Sequence, residues 1–251
     1  MPASNNNWDF QTMKKYLLVA AVAASALFAG SAAMAQDSSG LSYNLAVTSN
    51  YVWRGVSQTN GDAALQGGVD YKAKNNFYVG TWLSNVSFAA PKAGQHADTE
   101  VDVYAGLAPT MGDWSFDVGA IAYLYPGANS ADYGELKAGV AHPMGKGTIG
   151  AVMYLPIETL ENPYVEVNAS YPLTDKLSIS GAIANNEANK DEADASYKAR
   201  NVVANMGTKY TTFNVGATYN LTDHLSVDVR YSKAEQMYLK NSTFVTLKST
   251  F

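Results

Sequence analysis

The chain has 251 residues, of which 47% are hydrophobic and only 16% charged, with a formal net charge of −5. An acidic chain of this kind has no basic patch that could release counterions from phosphates, so nucleic-acid binding is excluded as its function. The absence of cysteine excludes disulfides and thiolate-bound metals. The 17 tyrosines and 20 glycines favour strands and tight turns over a helical bundle.

The first segment has the three parts of a secretory signal peptide. Two lysines follow Met13, an apolar run extends from Leu17 to Gly30, and a small-x-small site ends at Ala35. The apolar run is shorter than the ~20 residues of a spanning helix, which disfavours the alternative of a retained anchor. We predict cleavage between Ala35 and Gln36.

Cleavage there divides the chain into two parts. Residues 1–35 form an upstream extension and signal peptide, and residues 36–251 form one exported domain. The polar stretch before Met13 leaves Met1 and Met13 as alternative starts.

Beyond residue 35 apolar and polar residues alternate with period two, in segments of roughly 8–12 residues that are typical of membrane-spanning strands. The third segment is ambiguous, because Trp82 has the opposite parity from Val79 and Leu83. The twelve segments lie at 41–53, 65–71, 77–84, 100–107, 114–120, 135–140, 149–155, 165–171 and 177–183, and around 213–215, 227–229 and 245–247. This even count predicts an all-β, antiparallel, up-and-down transmembrane barrel of about twelve strands.

The connections between the segments alternate in length. Every second one is a short turn: Lys72–Asn76, Pro109–Asp113, His142–Lys146, Pro172–Lys176 and Asn220–His224. The others are equal or longer and more polar: Arg54–Ala63, Asn85–Asp98, Pro126–Asp132, Pro156–Asn162, Asn185–Thr208 and Lys233–Asn241. Outer-membrane barrels have short periplasmic turns and longer extracellular loops, whereas a soluble sandwich has no reason to sort its loops in this way.

Aromatic residues mark one predicted membrane interface. Five of them have outward parity beside the short periplasmic turns, and we expect them to form one interfacial girdle: Tyr71, Phe77, Trp114, Tyr171 and Tyr219. We expect the outer surface of the barrel as a whole to contact outer-membrane lipid and lipopolysaccharide. The last strand alternates up to a terminal Phe251, which resembles the signal that the outer-membrane assembly machinery recognises. The predicted location is therefore the bacterial outer membrane.

Four sequence motifs in the first third of the exported domain resemble the TorF-type porins, a proteobacterial outer-membrane family also catalogued as a conserved hypothetical family. They are Ser49–Gln58, Ala64–Tyr71, Tyr78–Val86 and Glu100–Gly106. The resemblance implies an outer-membrane pore. It brings no established substrate and no catalytic residues.

Charged residues with inward parity are the candidate pore-lining set: Arg54, Asp70, Glu100, Asp102, Asp117, Glu135, Lys137, Glu166, Asp228 and Arg230. Lys248 shares this parity. Acids outnumber bases, so we expect a cation-preferring lumen. Twelve strands lie between the ~8 of a filled barrel and the 16–18 of an open channel. Two interpretations stay open: a narrow pore, or a filled interior in which charges pair across strands.

Arg54 lies within the first motif, at the outer end of the first segment. We expect it to pair with inward carboxylates such as Asp70, because a guanidinium is well suited to hold carboxylates in place.

No catalytic constellation is visible in the sequence. His142 and His224 fall in short turns and His96 in a long loop, with no nucleophile or paired carboxylate beside them, so we expect no enzyme activity. The acidic loop Asn185–Thr208 lacks a spaced ligand pattern, so no metal and no cofactor is expected.

The expected function is passive diffusion of small hydrophilic solutes through a narrow channel. The alternative is a closed barrel that anchors extracellular loops for adhesion or ligand binding. The 24 residues of Asn185–Thr208 motivate that alternative.

The topology is testable on intact cells. We expect a heat-modifiable membrane protein whose processed form begins at Gln36. Added protease should cut within Asn185–Thr208, which lies outside, and spare the periplasmic turn Pro172–Lys176. Mass spectrometry of the fragments checks both sites, and cleavage at the turn alone would mean that the barrel has the opposite orientation.

Overall fold

The computed structural model describes residues 40–187, 209–235 and 241–251. The predicted cleavage site at Ala35 and Gln36 lies outside them, as does most of the predicted loop Asn185–Thr208. Within the described residues one 3-10 turn covers Asn129–Ala131. The strands are β1 Gly40–Thr48, β2 Val52–Trp53, β3 Val56–Ser57, β4 Ala64–Lys72, β5 Phe77–Ala89, β6 His96–Leu107, β7 Thr110–Met111, β8 Trp114–Leu124, β9 Tyr133–Met144, β10 Gly147–Pro156, β11 Tyr164–Pro172, β12 Leu177–Glu187, β13 Lys209–Asn220, β14 Leu225–Ala234 and β15 Ser242–Thr250.

Twelve of these strands form a closed antiparallel barrel. Strand β1 pairs with β4 on one side and with β15 on the other, and β6 pairs with β8. The remaining long strands pair with their neighbours in chain order. The short strand β7 extends the turn before β8, and β2 and β3 form a separate hairpin. The predicted fold class, a twelve-stranded up-and-down barrel, is confirmed.

Residues alternate between the two faces of the barrel wall as the period-two pattern predicts. On β1, Leu41, Tyr43 and Leu45 are about half exposed on the outer face, whereas Ala46 and Thr48 are buried. The outer face is therefore a band of apolar side chains suited to lipid, and the inner face carries the polar groups. Among the described residues no helix is long and apolar enough to cross a membrane.

The predicted girdle residues lie on the outer face beside the short turns. Tyr71, Phe77, Trp114, Tyr171 and Tyr219 are each between 38% and 48% exposed. The short turns close at one end of the barrel, and both described termini of the wall, Gly40 and Thr250, lie at that end.

The first predicted segment, 41–53, is too long. Strand β1 ends at Thr48, and the chain then turns inward, so Tyr51 and Trp53 do not continue the outer face. The turn requires left-handed backbone at Arg54 (φ 47°) and Gly55 (φ 80°), which closes the β2–β3 hairpin. Asn50 fixes the base of the hairpin, because its Oδ1 accepts hydrogen bonds from Ser57 Oγ at 2.6 Å and Thr59 Oγ1 at 3.3 Å.

The predicted loop Asn85–Asp98 is also wrong in extent. The β5–β6 hairpin continues to Ala89 and His96, and the register shifts between Asn85 and Phe88. The shift is a β-bulge: the even-numbered residues of β5 stay buried through Phe88, whereas the buried positions of β6 change from Glu100 to Ala97. Beyond it, Phe88 is 2% exposed and packs inside the barrel.

Trp82, whose parity made the third segment ambiguous, is an inward residue of a regular strand. It is 5% exposed, and its ring meets Tyr51 edge-on at 5.5 Å. The strand carries apolar residues on both faces because its inner face packs against the folded-in hairpin.

Two paired glycines make room for a lumen tyrosine. Gly106 on β6 lies opposite Gly119 on β8, and a Cβ on Gly106 would lie 2.5 Å from the hydroxyl of Tyr78 and 2.5 Å from a main-chain oxygen. The main-chain contact cannot relax by a side-chain rotation, so the close approach requires glycine.

Gly106→Ala should destabilise the barrel by about 1–3 kcal/mol, because it overpacks this contact. The measurement is the temperature at which the folded band converts to the unfolded band in a heat-modifiability gel. Gly40→Ala is the matched control, since nothing lies within 4 Å of a Cβ at that position. Equal transition temperatures for the two variants would contradict this account.

Candidate functional site in the barrel lumen

The structure places all ten candidate residues inside the barrel. Nine lie on the wall strands and are between 2% and 8% exposed: Asp70, Glu100, Asp102, Asp117, Glu135, Lys137, Glu166, Asp228 and Arg230. The tenth, Arg54, comes from the β2–β3 hairpin. Their role as pore lining stays a prediction, but their inward placement follows from the strand register.

Two basic wall residues are held by carboxylates across or along the strands. Lys137 Nζ donates to Asp117 Oδ2, and Asp117 Oδ1 also accepts from the hydroxyl of Tyr78 at 2.7 Å. Arg230 donates to both oxygens of Asp228 at 3.1 and 3.0 Å. Because a buried charge is costly when unpaired, these pairs let the interior hold ionised groups.

Three further wall acids, Asp70, Glu166 and Glu100, accept hydrogen bonds from tyrosines. The hydroxyl of Tyr104 donates to Asp70 at 2.6 Å, and that of Tyr164 donates to Glu166 at 2.8 Å. Tyr51, from the folded-in segment, donates to Glu100 at 3.3 Å. Burial and the carboxylates of Glu100 and Asp102 raise the pKa of Tyr51, so its phenol stays neutral and able to donate.

Arg54 does not pair with Asp70, as expected from the sequence, but with Glu135. Its Nη1 and Nη2 donate to Oε1 and Oε2 of Glu135, each at 2.8 Å, in the two-pronged geometry that guanidinium and carboxylate favour. The hydroxyl of Tyr123 adds a third hydrogen bond to Glu135 at 3.0 Å. The reason is position along the barrel: Glu135 lies near the long-loop end of β9, where the hairpin enters, whereas Asp70 lies near the short-turn end of β4.

The guanidinium of Arg54 also lies among aromatic rings. Its Cζ is 4.1 Å from the ring centre of Trp53, 4.1 Å from that of Tyr164 and 4.9 Å from that of Tyr154. Burial alone would lower the pKa of Arg54, but the adjacent Glu135 raises it well above the usual value. Arg54 is therefore permanently charged. Its side chain is only 7% exposed, and that of Glu135 only 3%.

The long-loop half of the lumen holds an aromatic cluster that was not predicted from the sequence. The rings of Tyr123 and Tyr133 stack at 4.4 Å, and Phe88 meets Tyr125 edge-on at 5.2 Å. Tyr154 and Tyr164 belong to the same buried cluster. The sequence does contain a feature that could have predicted this cluster: aromatic residues with inward parity at the long-loop ends of β8 to β11. The prediction of lumen residues was based on charged side chains alone and so did not include them.

A cavity of about 90 Å³ lies beside the hairpin, with room for several water molecules. Its lining joins the hairpin to the wall and includes Arg54, Trp82, Asp102, Glu166, Asn214 and Arg230. The hairpin and the aromatic cluster thus fill the long-loop half of the lumen, and the small cavity lies between them and the wall, with Tyr123, Tyr154 and Tyr164 also in its lining.

The three histidines lie away from this lumen, with His96 and His224 exposed and His142 partly buried. His96 contacts Asp98 at 3.0 Å, and the rings of His142 and His224 each lie within hydrogen-bond distance of a main-chain oxygen. In the described part of the chain no group of three His, Asp or Glu side chains could hold a metal ion.

The architecture defines a class of protein. A closed, even-stranded barrel with an apolar outer band, an aromatic girdle and a charged interior is an outer-membrane β-barrel of the porin-like type, a fold that is typically not enzymatic. A family model matches residues 32–251, and the chain belongs to that family, described as bacterial protein of unknown function (Gcw_chp).

Solved structures share the fold at low sequence identity. The KdgM porin superposes with a TM-score of 0.54 at 9% identity, covering 84% of this chain and 97% of KdgM. The NanC porin superposes with a TM-score of 0.50 at 9% identity, covering 84% and 98%. KdgM has also been solved in complex with disordered oligogalacturonate, and that structure superposes with a TM-score of 0.52.

One curated relative shares sequence. The 47 kDa outer membrane protein of Pasteurella multocida is 30% identical over 114 residues, which is 45% of this chain. The match spans 23% of that protein's length, so the chain corresponds to less than a quarter of it. The relative agrees with the outer-membrane class that the fold defines.

The Arg54–Glu135 pair should be strongly coupled. Arg54→Ala leaves a buried carboxylate without its cation and should cost about 3–5 kcal/mol, whereas Arg54→Ala with Glu135→Gln should cost less than the sum of the two single changes. We expect a coupling of about 0.5–3 kcal/mol from urea unfolding in detergent or lipid.

The exposed pair of His96 and Asp98 is the control for this cycle. Its side chains are 51% and 82% exposed, so removing it should cost less than about 1 kcal/mol. An Arg54→Ala variant as stable as His96→Ala would show that Arg54 does not hold the hairpin.

Proposed function

We propose that the protein is a TorF-type outer-membrane porin that lets small hydrophilic solutes diffuse through a narrow passage and that favours cations. The cavity between the hairpin and the wall is the observation that carries the proposal, since a barrel serving only as an anchor does not need an interior space lined by four charged residues, Arg54, Asp102, Glu166 and Arg230. The porin-like fold and the four family-like motifs support it.

The charged residues on the inner face of the barrel wall support a preference for cations. Arg54, Lys137 and Arg230 are each paired with a carboxylate, and Lys248 interacts electrostatically with Asp70. Seven inward acids, Asp70, Glu100, Asp102, Asp117, Glu135, Glu166 and Asp228, outnumber these four bases, which leaves a net formal charge of −3 on the inward residues. Rings of such carboxylates favour cations, and a narrow wall of low dielectric constant focuses their field.

An acidic oligosaccharide of the kind seen with KdgM would be repelled by this excess negative charge. We therefore propose small cationic or neutral solutes for this chain. No catalytic step and no cofactor forms part of the proposed function.

Export and assembly belong to the same proposal. We propose that residues 1–35 are removed at Ala35 and Gln36, that the outer band contacts lipid and lipopolysaccharide, and that Phe251 is read by the assembly machinery. The exposed side chain of Phe251, at 70%, supports the last point.

A closed anchor that displays its loops is the second candidate. The observation in its favour is the filling of the long-loop half of the lumen by the hairpin and the aromatic cluster. Conductance of the purified protein in a planar bilayer separates the two candidates, because discrete, salt-dependent steps require a pore and a closed anchor gives none.

Reversal potentials in a KCl gradient should show preference for K⁺ over Cl⁻. The preference should fall at high salt, because the Debye length shrinks from ~10 Å at 0.1 M to ~3 Å at 1 M. Glu100→Gln and Asp102→Asn, which remove buried charge from one wall, should each reduce it.

Asp98→Asn is the matched control, since it removes the same charge from a side chain that is 82% exposed outside the lumen. It should leave the reversal potential within error of the wild type. Preference for Cl⁻ in the unmodified protein would overturn the assignment of the acidic lumen.

A further inference from the structure

The site around Arg54 is built by the wall and filled by the hairpin. Glu135 lies on β9, Tyr154 on β10 and Tyr164 on β11, so three adjacent wall strands supply a carboxylate and two aromatic rings. Arg54 reaches this site from a separate two-stranded hairpin. The recognition elements and the group that they recognise thus come from different parts of the fold.

These elements select a planar cation. The two oxygens of Glu135 meet two parallel N–H donors at 2.8 Å, and Tyr164 offers its ring 4.1 Å from the central carbon. A guanidinium satisfies both contacts at once, whereas an ammonium is a compact, strongly hydrated charge that lacks the fork. The hydroxyl of Tyr123, bonded to Glu135, holds the carboxylate in place.

We propose that Glu135, Tyr154 and Tyr164 form a binding site for guanidinium groups of solutes, and that Arg54 is its resident occupant. A solute carrying an alkylguanidinium group displaces Arg54, takes its place on Glu135 and releases the hairpin from the wall. Passage of such a solute rests on the proposed porin function, whereas binding at the site does not.

The surroundings permit the exchange. The cavity of about 90 Å³ adjoins Arg54 and reaches Glu166, so an incoming cation has polar space next to the site. The main-chain oxygen of Arg54 accepts a long hydrogen bond from the hydroxyl of Tyr210, at 3.4 Å. Because a tethered group acts at an effective concentration in the millimolar range, a free solute must reach about that concentration to compete with Arg54.

The test uses the full-length protein with Arg54→Ala, which empties the site, and methylguanidinium as the probe. We expect methylguanidinium at low millimolar concentration to raise the thermal midpoint of this variant and to change the fluorescence of Trp53. Wild-type protein should need about tenfold more probe for the same response, because Arg54 competes. Methylammonium at equal concentration should have no effect.

Two further variants make the result specific. Adding Glu135→Gln to Arg54→Ala should abolish the response, because the carboxylate is lost. Lys137→Ala empties a buried ammonium position in the same barrel, so methylguanidinium should not act on it more strongly than methylammonium does. Equal responses to both probes in Arg54→Ala, or a response that survives Glu135→Gln, would overturn the proposal.

If Arg54→Ala does not assemble, Arg54→Lys is the alternative variant. It keeps a positive charge on the hairpin and removes only the two parallel N–H donors of the guanidinium. Methylguanidinium should then act at a lower concentration than on the wild type, and an unchanged concentration would overturn the proposal. Bilayer recordings separate this inference from the porin function. Probe binding without conductance would support the guanidinium site and contradict the porin function. Conductance without probe binding would support the porin function and contradict the guanidinium site.

Discussion

A sheet that spans a membrane must have no free edge, and the pairing of β1 with β15 removes the last one in this chain. In hydrocarbon an unpaired main-chain N–H or C=O costs several kcal/mol, so the wall is stable only as a closed ring. Closure fixes the register of every strand, and register decides which side chains face lipid and which face the lumen. The apolar outer band, the inward charges and the end at which each loop emerges all follow from it.

Closing twelve strands creates a second constraint, because the space inside is wider than the wall side chains alone fill. The protein fills part of it with the β2–β3 hairpin, anchored by Arg54 on Glu135, and part with inward aromatic rings such as Tyr123 and Tyr154. Buried acids are then matched by guanidinium, ammonium and phenol donors rather than by bulk water. What remains is a small polar cavity between hairpin and wall, whose charged lining gives the lumen its chemical character.

Features set by local pattern could be predicted from the sequence. Strand parity placed Asp117 and Glu166 inside and Tyr71 and Trp114 outside, because a strand alternates its faces whatever its partners are. The partner of Arg54 could not be predicted, since it depends on a left-handed turn that takes the chain out of the wall and on the distance along the barrel to each carboxylate. The bulge after Asn85 escaped for a related reason: it depends on how β5 and β6 pair, and it moves the inward positions of β6 from Glu100 to Ala97 while those of β5 keep their parity. Side-chain pairing across the lumen depends on the closed barrel as a whole, so it cannot be predicted from a short stretch of sequence.

The main-chain groups of Phe251 are used by closure itself. Its N–H donates to the carbonyl of Tyr43 at 2.9 Å, and the N–H of Tyr43 donates to the carbonyl of Phe251 at 3.0 Å. These two residues stand about two hundred positions apart, so the contact that completes the ring has a very high sequence separation, which slows its formation. Until it forms, β1 and β15 are open edges able to accept a foreign strand. A chaperone that held β15 through its main chain would occupy the bonds that Tyr43 needs, so it must release this strand before the barrel can be completed.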